Sequence, residues 1–343
     1  MATNFYIFSN SPGEIFAWVR PLVNALNRQY PQSSLYVFLT PCQYASGQEL
    51  QVCQQFPGVT HVYSPIHTIK QCMSPSFKKG VVFFMGGDPM YAKWFSKKTN
   101  SLLLGYTEHD DTDDAFDCLI KKSKNVDLMK AELQRVVNPN NNKVVLLPGS
   151  RPEHLLVALP IMLTLSANLK NNREVCLSPF TTPATVQALQ LKYPDVSFFI
   201  LKDPNQLSAF KYALTIPGTN TMQLAYLNVP YFMILPTHNP SILRLNGLMG
   251  LFLMIPFLGY YLKKIMLYIK LNRDSLYSLP NQFFNEKVCP EYIGSFDIQK
   301  ATQAFDRFIQ DQCQYESILN RFKELESVQS PLSEFLLFVQ KSN

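Results

Sequence analysis

At 343 residues the chain is too long for one hydrophobic core, and two domains are expected. Hydrophobic residues at 47% and charged residues at 16% exclude an intrinsically disordered chain. The balance of 31 Lys and Arg against 25 Asp and Glu, +6, suits an anionic substrate or membrane surface and is too weak to point to nucleic acid.

Taken in chain order, short continuous apolar runs predict strands at Phe5–Phe8, Leu35–Leu39, Val81–Met85, Ser101–Tyr106, Lys143–Leu147, Val175–Ser178, Val196–Leu201, Tyr212–Ile216 and Pro230–Leu235. Such runs suit parallel strands buried on both faces. Helical patterns fall between them. Over Val19–Arg28, Val19, Leu22, Val23 and Leu26 follow i, i+3, i+4, i+7 spacing, and Pro21 sits in the first turn, where its missing N–H does no harm. This alternation predicts an α/β, doubly wound architecture. The Pro- and Asn-rich stretch "VVNPNNN", Val136 to Asn142, reads as a linker. It divides an N-terminal domain, residues 1–138, from a C-terminal domain, residues 143–310, each opening with a strand and a turn of short residues. Two Rossmann-like domains facing each other across a cleft are expected. Helices at Ile298–Gln310, Tyr315–Val328 and Pro331–Gln340 close the chain, residues 311–343 forming a helical tail.

The seven cysteines are scattered without a CxxC, which suits free thiols in a reducing cytoplasm and indicates neither a zinc site nor a disulfide framework. No basic segment precedes the strand "FYIF", so a secretory signal is not expected.

Two strand-to-helix turns carry the chemistry. In "VVLLPGSRPEH", Gly149 lets the backbone approach a ligand, Ser150 follows, and Arg151 offers a planar fork at a helix mouth whose first N–H groups have no internal partner. In "TIPGTNTMQLAY", Gly218, Thr219, Asn220 and Thr221 open a second helix that carries Gln223. Both turns stand at strand carboxyl ends, where open α/β sheets bind ligands. No GxxxxGK[ST] and no GxGxxG follows a strand, which removes the main support for an ATPase or an NAD enzyme. A third segment, Ser275 to Gly294, is extended and contains Asn281 before Pro290-Glu291.

The motifs "LLPGSRPEH", "IPGTNTMQLAYLNVPY" and "SLPNQFFNEKVCPEYI", in this order and spacing, resemble those of lipid-A-disaccharide synthase, a family of inverting GT-B glycosyltransferases. The resemblance covers most of the second domain, and the first more loosely through "SPGE" and an Asp after the third strand. It implies transfer of a sugar from a UDP-activated amino sugar to a lipid-linked sugar acceptor, with no metal and no cofactor beyond the UDP-sugar substrate. Arg151, with the amides near Gly149 and Ser150, would bind the phosphates, and Gly218, Thr219, Asn220 and Thr221 would cradle the diphosphate. Gln223 falls where the family has a glutamate that holds the ribose, and Asn281 matches an asparagine near the nucleotide. The family also suggests a homodimer.

The departures lie in the acceptor half. The family's GExSGD-like loop reads Gly13-Glu14-Ile15-Phe16-Ala17-Trp18 here, and Asp88 of "GGDPMYAKW" is the one match to its acidic region. Candidates for the base that deprotonates the acceptor are Asp88, Glu14 and His109, each after a strand or at a turn. Asp111-Thr112-Asp113 forms a DxD inside an acidic run, and the two-Rossmann layout favours a solvated loop over a metal site.

Residues 245–262 carry no charge, the lower limit for a membrane span. Asn246, three glycines and Pro256 interrupt them, so an interfacial segment is expected, with Leu248, Phe252, Ile255 and Phe257 in the bilayer surface and Lys263 and Lys264 on lipid phosphates. This places the protein in the cytoplasm, peripheral to the inner membrane. Two alternatives stay open: a UDP-sugar 2-epimerase-like enzyme, which would epimerise donor alone, and a membrane-docked relative that has lost catalysis.

Overall fold

A computed structural model describes residues 3–42, 45–108, 113–134, 142–236, 276–294 and 297–342. The chain forms two compact units, Met1–Leu133 with Glu326–Asn343, and Gln134–Leu325.

In the first unit six parallel strands, β1 (Asn4–Ser9), β2 (Ser34–Leu39), β3 (Val59–Tyr63), β4 (Val81–Phe84), β5 (Leu102–Thr107) and β6 (Cys118–Lys121), lie in the order β3-β2-β1-β4-β5-β6. The central register pairs Phe5 with Leu35 on one side and with Val81 on the other. After β1 come α1 (Pro12–Glu14), a π-helical turn (Ile15–Val19) and α2 (Arg20–Gln29). Then follow α3 (Glu49–Gln54), α4 (Pro65–Met73) and α5 (Pro89–Thr99). Strand residues alternate between the sheet's faces. Tyr6, Phe8, Phe38, Val82, Phe84 and Leu103 therefore form one core with Cys72 of α4 and Ala92 and Phe95 of α5. Phe8 stacks on Phe38 at 4.8 Å and Phe38 on Tyr63 at 4.7 Å, pairs that each add roughly 1 kcal/mol beyond burial. A buried ion pair, Arg20 to Glu132 at 2.7 Å, ties α2 to the end of the unit.

The second unit repeats the winding with β7 (Val144–Leu147), β8 (Arg173–Leu177), β9 (Phe198–Ile200), β10 (Tyr212–Thr215), β11 (Tyr231–Pro236) and β12 (Glu291–Gly294), in the order β12-β11-β10-β7-β8-β9. Its helices are α6 (Pro152–Leu165), α7 (Pro183–Lys192), α8 (Thr219–Tyr226), α9 (Leu279–Phe284), α10 (Ile298–Gln310) and α11 (Gln312–Phe322). β7, β10 and β11 are buried at every position, which accounts for their uninterrupted apolar sequences. The last helix, α12 (Leu332–Ser342), belongs to the first unit, where Phe335 meets Phe83 at 5.8 Å.

The α/β, doubly wound class holds for both units. Three strands the apolar runs did not mark, β3, β6 and β12, are all sheet edges. The helix expected over Tyr315–Val328 ends at Phe322 and passes into a 3₁₀ turn, Lys323–Ser327. Most of the linker (135–141), His109 with Asp111 and Thr112, and the apolar stretch 245–270, with Leu248, Phe252, Ile255, Phe257, Lys263 and Lys264, lie outside the described residues. No described helix is long and apolar enough to cross a membrane.

Candidate functional site

In each sheet the strand order reverses beside one pair, β1/β4 in the first unit and β7/β10 in the second, and ligands of open α/β sheets bind at the carboxyl ends of such a pair. In the second unit β7 runs into Pro148-Gly149-Ser150-Arg151 and β10 into Ile216-Pro217-Gly218, so the fold brings together the two turns singled out in the sequence. The turns touch. A Cβ on Gly149 would lie 2.6 Å from Ile216 Cδ1 and 2.9 Å from His154 Nδ1, and its φ of +101° is one that L side chains rarely adopt. Glycine is therefore required there twice over.

Arg151 is the N-cap of α6 and half-buried, with its side chain making no cap hydrogen bond. Gly218 is the N-cap of α8 and brings no side chain. Its φ of +150° with ψ of −173° is a backbone state essentially reserved for glycine, and no described residue comes within 4 Å of where a Cβ would stand. Two helix N-termini without side-chain caps thus flank one strand pair, both directing partial positive charge to its carboxyl end. Ser150, Thr219 and Asn220 are half-buried beside them.

Other residues hold this arrangement in place. Thr221, fully buried, donates from Oγ1 to Gly218 O at 2.8 Å and accepts from Leu279 N at 3.1 Å, joining α8 to the start of α9. Asn281 is also fully buried. Its Nδ2 donates to Cys289 O and to Glu291 Oε1, both at 2.9 Å, and its Oδ1 accepts from Cys289 N at 2.9 Å. Both amide hydrogens are spent inside the protein, so Asn281 positions the 276–294 segment instead of donating to a nucleotide. Glu291 was visible in the sequence only as part of "CPEY". Its carboxylate accepts from Ser278 N at 2.8 Å and from Tyr277 N at 3.1 Å, which fixes the loop before α9.

Gln223 differs from these. It is 2% exposed, and its Oε1 has no hydrogen-bond partner among the described residues. An unmade hydrogen bond at a buried acceptor costs about 1–3 kcal/mol, which a donor reaching it would recover.

The first unit's strand pair is furnished differently. Glu14 forms a capping box with Ser11: Glu14 N donates to Ser11 Oγ at 3.4 Å, and Glu14 Oε2 accepts from Ser11 N at 3.3 Å. Its carboxyl lies against Gly86, where a Cβ would come within 2.3 Å of Glu14 Cδ. Burial pushes the Glu14 pKa up to about 7, the bonds from Ser11 pull it down, and the nearby charge of Glu108 adds to the rise. The π-helical turn begins at the next residue, and π-bulges recur at functional sites. Asp88, in contrast, is exposed and caps α5, its Oδ1 accepting from Met90 N at 2.9 Å. Asp113 of the DxD pairs with Lys93. Among the described residues no three His, Cys, Asp or Glu side chains group as metal ligands would.

No known protein family and no curated protein matches the sequence. Solved structures do match. Acinetobacter baumannii MurG aligns over 99% of this chain and 99% of its own, with a TM-score of 0.53 and 12% identity. The fold is GT-B. Spinosyn rhamnosyltransferase SpnG aligns over 98% of this chain and 99% of its own, with a TM-score of 0.50 and 9% identity. At such identities the likeness is one of fold, the two-Rossmann architecture of the GT-B glycosyltransferases. Which sugar and which acceptor must be argued from the site.

Proposed function

We propose that this GT-B chain is an inverting glycosyltransferase that moves a sugar from a UDP donor to a lipid-linked sugar, in the manner of lipid-A-disaccharide synthase. The observation that carries the reading is the pair of helix N-termini at the β7/β10 switch point, with Arg151 at one and Gly218 at the other. A leaving diphosphate gains charge as the glycosidic bond breaks, and fixed N–H groups with a guanidinium stabilise that charge without a divalent ion. Gly149 and Ser150 bring the first turn's backbone to the phosphates, and Thr219 and Asn220 line the second, which buried Thr221 braces from within. Gln223 Oε1, which has no partner among the described residues, suits a ribose hydroxyl as its donor. Full-length coverage by GT-B glycosyltransferases supports the class.

Glu14 is the base in this reading. A carboxyl with a pKa of about 7 is half ionised at neutral pH and strong enough to take a proton from an acceptor hydroxyl as it attacks the anomeric carbon. The bond to UDP breaks as the new glycosidic bond forms, and the configuration inverts.

The deciding experiment is titration of UDP by calorimetry into the wild type and Arg151→Ala. The variant should keep its circular-dichroism spectrum and lose roughly 10- to 100-fold in affinity, the worth of a charge-assisted phosphate contact. Equal affinity would remove the phosphate site and the reading with it. A UDP-sugar panel incubated with lipid extract, read by mass spectrometry, identifies the acceptor, and an epimerised sugar nucleotide from donor alone would replace transfer by epimerisation.

A further inference from the structure

The first unit carries a surface that neither switch point uses. From Ile66 to Lys98 the sequence has six lysines, Lys70, Lys78, Lys79, Lys93, Lys97 and Lys98, against one acid, Asp88. In a chain of net charge +6, most of the basic surplus falls in this one segment. The segment spans α4, β4 and α5. Both helices turn their inner sides to the same core, through Cys72 on one and Ala92 and Phe95 on the other. Cys72 Sγ donates to Tyr91 O at 3.5 Å, and Lys98 Nζ donates to Met73 O. Tyr91, Trp94 and Lys98 follow i, i+3, i+7 spacing on α5, so Trp94 shares a side of that helix with Lys98.

The outer sides of the helices carry large apolar residues. Ile66 is 79% exposed, Met73 67% and Trp94 49%, with Met90 one turn before Trp94. Lys70 stands between Ile66 and Met73 along the exposed side of α4, and Lys97 follows Trp94 on α5, both in solvent. Lys78 and Lys79, also exposed, sit at the start of β4. Large apolar side chains exposed on two packed helices, with lysines among them, are costly to leave in water and mark a surface with a partner.

We propose that this α4–α5 face docks on an anionic lipid surface, Ile66, Met73, Met90 and Trp94 entering the headgroup region while Lys70, Lys78, Lys79 and Lys97 meet lipid phosphates. Charge decides the occupant. A second copy of the face would set lysines against lysines, and a polyphosphate chain has no use for Ile66, Met73 and Met90. An anionic bilayer satisfies both halves, since tryptophan partitions to the headgroup level and each lysine near such a surface strengthens binding roughly fivefold. The inference stands apart from the donor reading, because lipid docking needs neither UDP nor turnover.

Only two tryptophans occur, and Trp18 is buried at 6% exposure, so Trp94 reports on its own surface. The full chain carrying Trp18→Phe is mixed with vesicles of phosphatidylcholine alone, or of phosphatidylcholine with phosphatidylglycerol. Trp94 emission should shift to the blue and be quenched by brominated acyl chains with the anionic vesicles only. Lys70→Glu with Lys97→Glu should lower vesicle partition by more than about tenfold. Ile66→Ser with Met73→Ser, both at exposed positions, should lower it with an unchanged circular-dichroism spectrum. Emission unmoved by anionic vesicles, or variants that partition as the wild type does, would overturn the proposal. So would a fall in sedimentation mass of the serine variant without lipid, which would assign the face to a second copy.

Discussion

The two units wind six parallel strands in the same order, and their switch points differ in what they leave unsatisfied. In the second, α6 and α8 begin at Arg151 and Gly218 without a side-chain cap, and no described residue fills the space beside Gly218. In the first, the corresponding helix start is closed by the chain's own anion: Glu14 caps with Ser11 and fills the room that Gly86 leaves. Strand order fixes where a site can form, and the residues of the first helical turn decide its charge. In the proposed reading one turn receives an external anion. The other already contains a carboxylate, held at the edge of ionisation.

The sharpest way to break this comparison is Glu14→Gln, which keeps shape and removes the ionisable group. Sugar transfer should fall by about 10²–10⁴, the usual worth of a general base, while UDP affinity in the second unit stays that of the wild type. A parallel loss of UDP affinity would end the division of labour between the units. Gly149→Ala tests the other side. With Ile216 Cδ1 2.6 Å from the new Cβ and a φ of +101°, the turn must shift, and UDP affinity should drop by roughly 1–3 kcal/mol, about 5- to 150-fold, with transfer falling in step.

How much of this the sequence disclosed follows from burial. Interior strands such as β4 and β7 are buried at all four positions, and their "VVFF" and "VVLL" are legible as strands without help. The edges are not: β3 reads "VTHVY" with Thr60 and His61 exposed, and β12 has only Glu291 buried, so neither shows an apolar run. The two strand-to-helix turns of the second unit were legible because glycine and proline punctuate them. Glu14 was one of three candidates, and what separates it from Asp88 is tertiary: Gly86, seventy-two residues away in sequence, makes its pocket. Asn281 was read as a ligand contact from its place in a motif. Only the fold shows that Cys289 and Glu291 already take its amide.

Asn281→Ala sharpens the contrast between holding a site and forming it. The substitution takes from Cys289 N and Cys289 O the partners that Asn281 supplies, while Glu291 Oε1 keeps its bonds from Ser278 N and Tyr277 N, and stability should fall by about 2–3 kcal/mol in urea unfolding. UDP affinity should suffer less than in Gly149→Ala at a temperature where the variant is folded. The opposite ranking would return Asn281 to the nucleotide.

The smallest effect concerns stability and pH, and its sign distinguishes a strained carboxyl from a paired one. Glu14 has its pKa raised from the ordinary 4.5 to about 7, so between these values the folded chain binds more protons there than the unfolded chain does. Stability contributed at this position is therefore greatest below about pH 4.5 and is lost as pH rises through about 7, the reverse of a salt-bridged carboxylate. Glu14→Gln should flatten that slope, matching the wild type near pH 4.5 and exceeding it by about 1–2 kcal/mol near pH 8, after allowance for the partial solvent access of the carboxyl. Urea unfolding at the two pH values checks it. A variant less stable than the wild type near pH 8 would mean that the ionised carboxylate is satisfied by the Ser11 cap, and the first unit would then hold a structural anion with no reason to titrate during turnover.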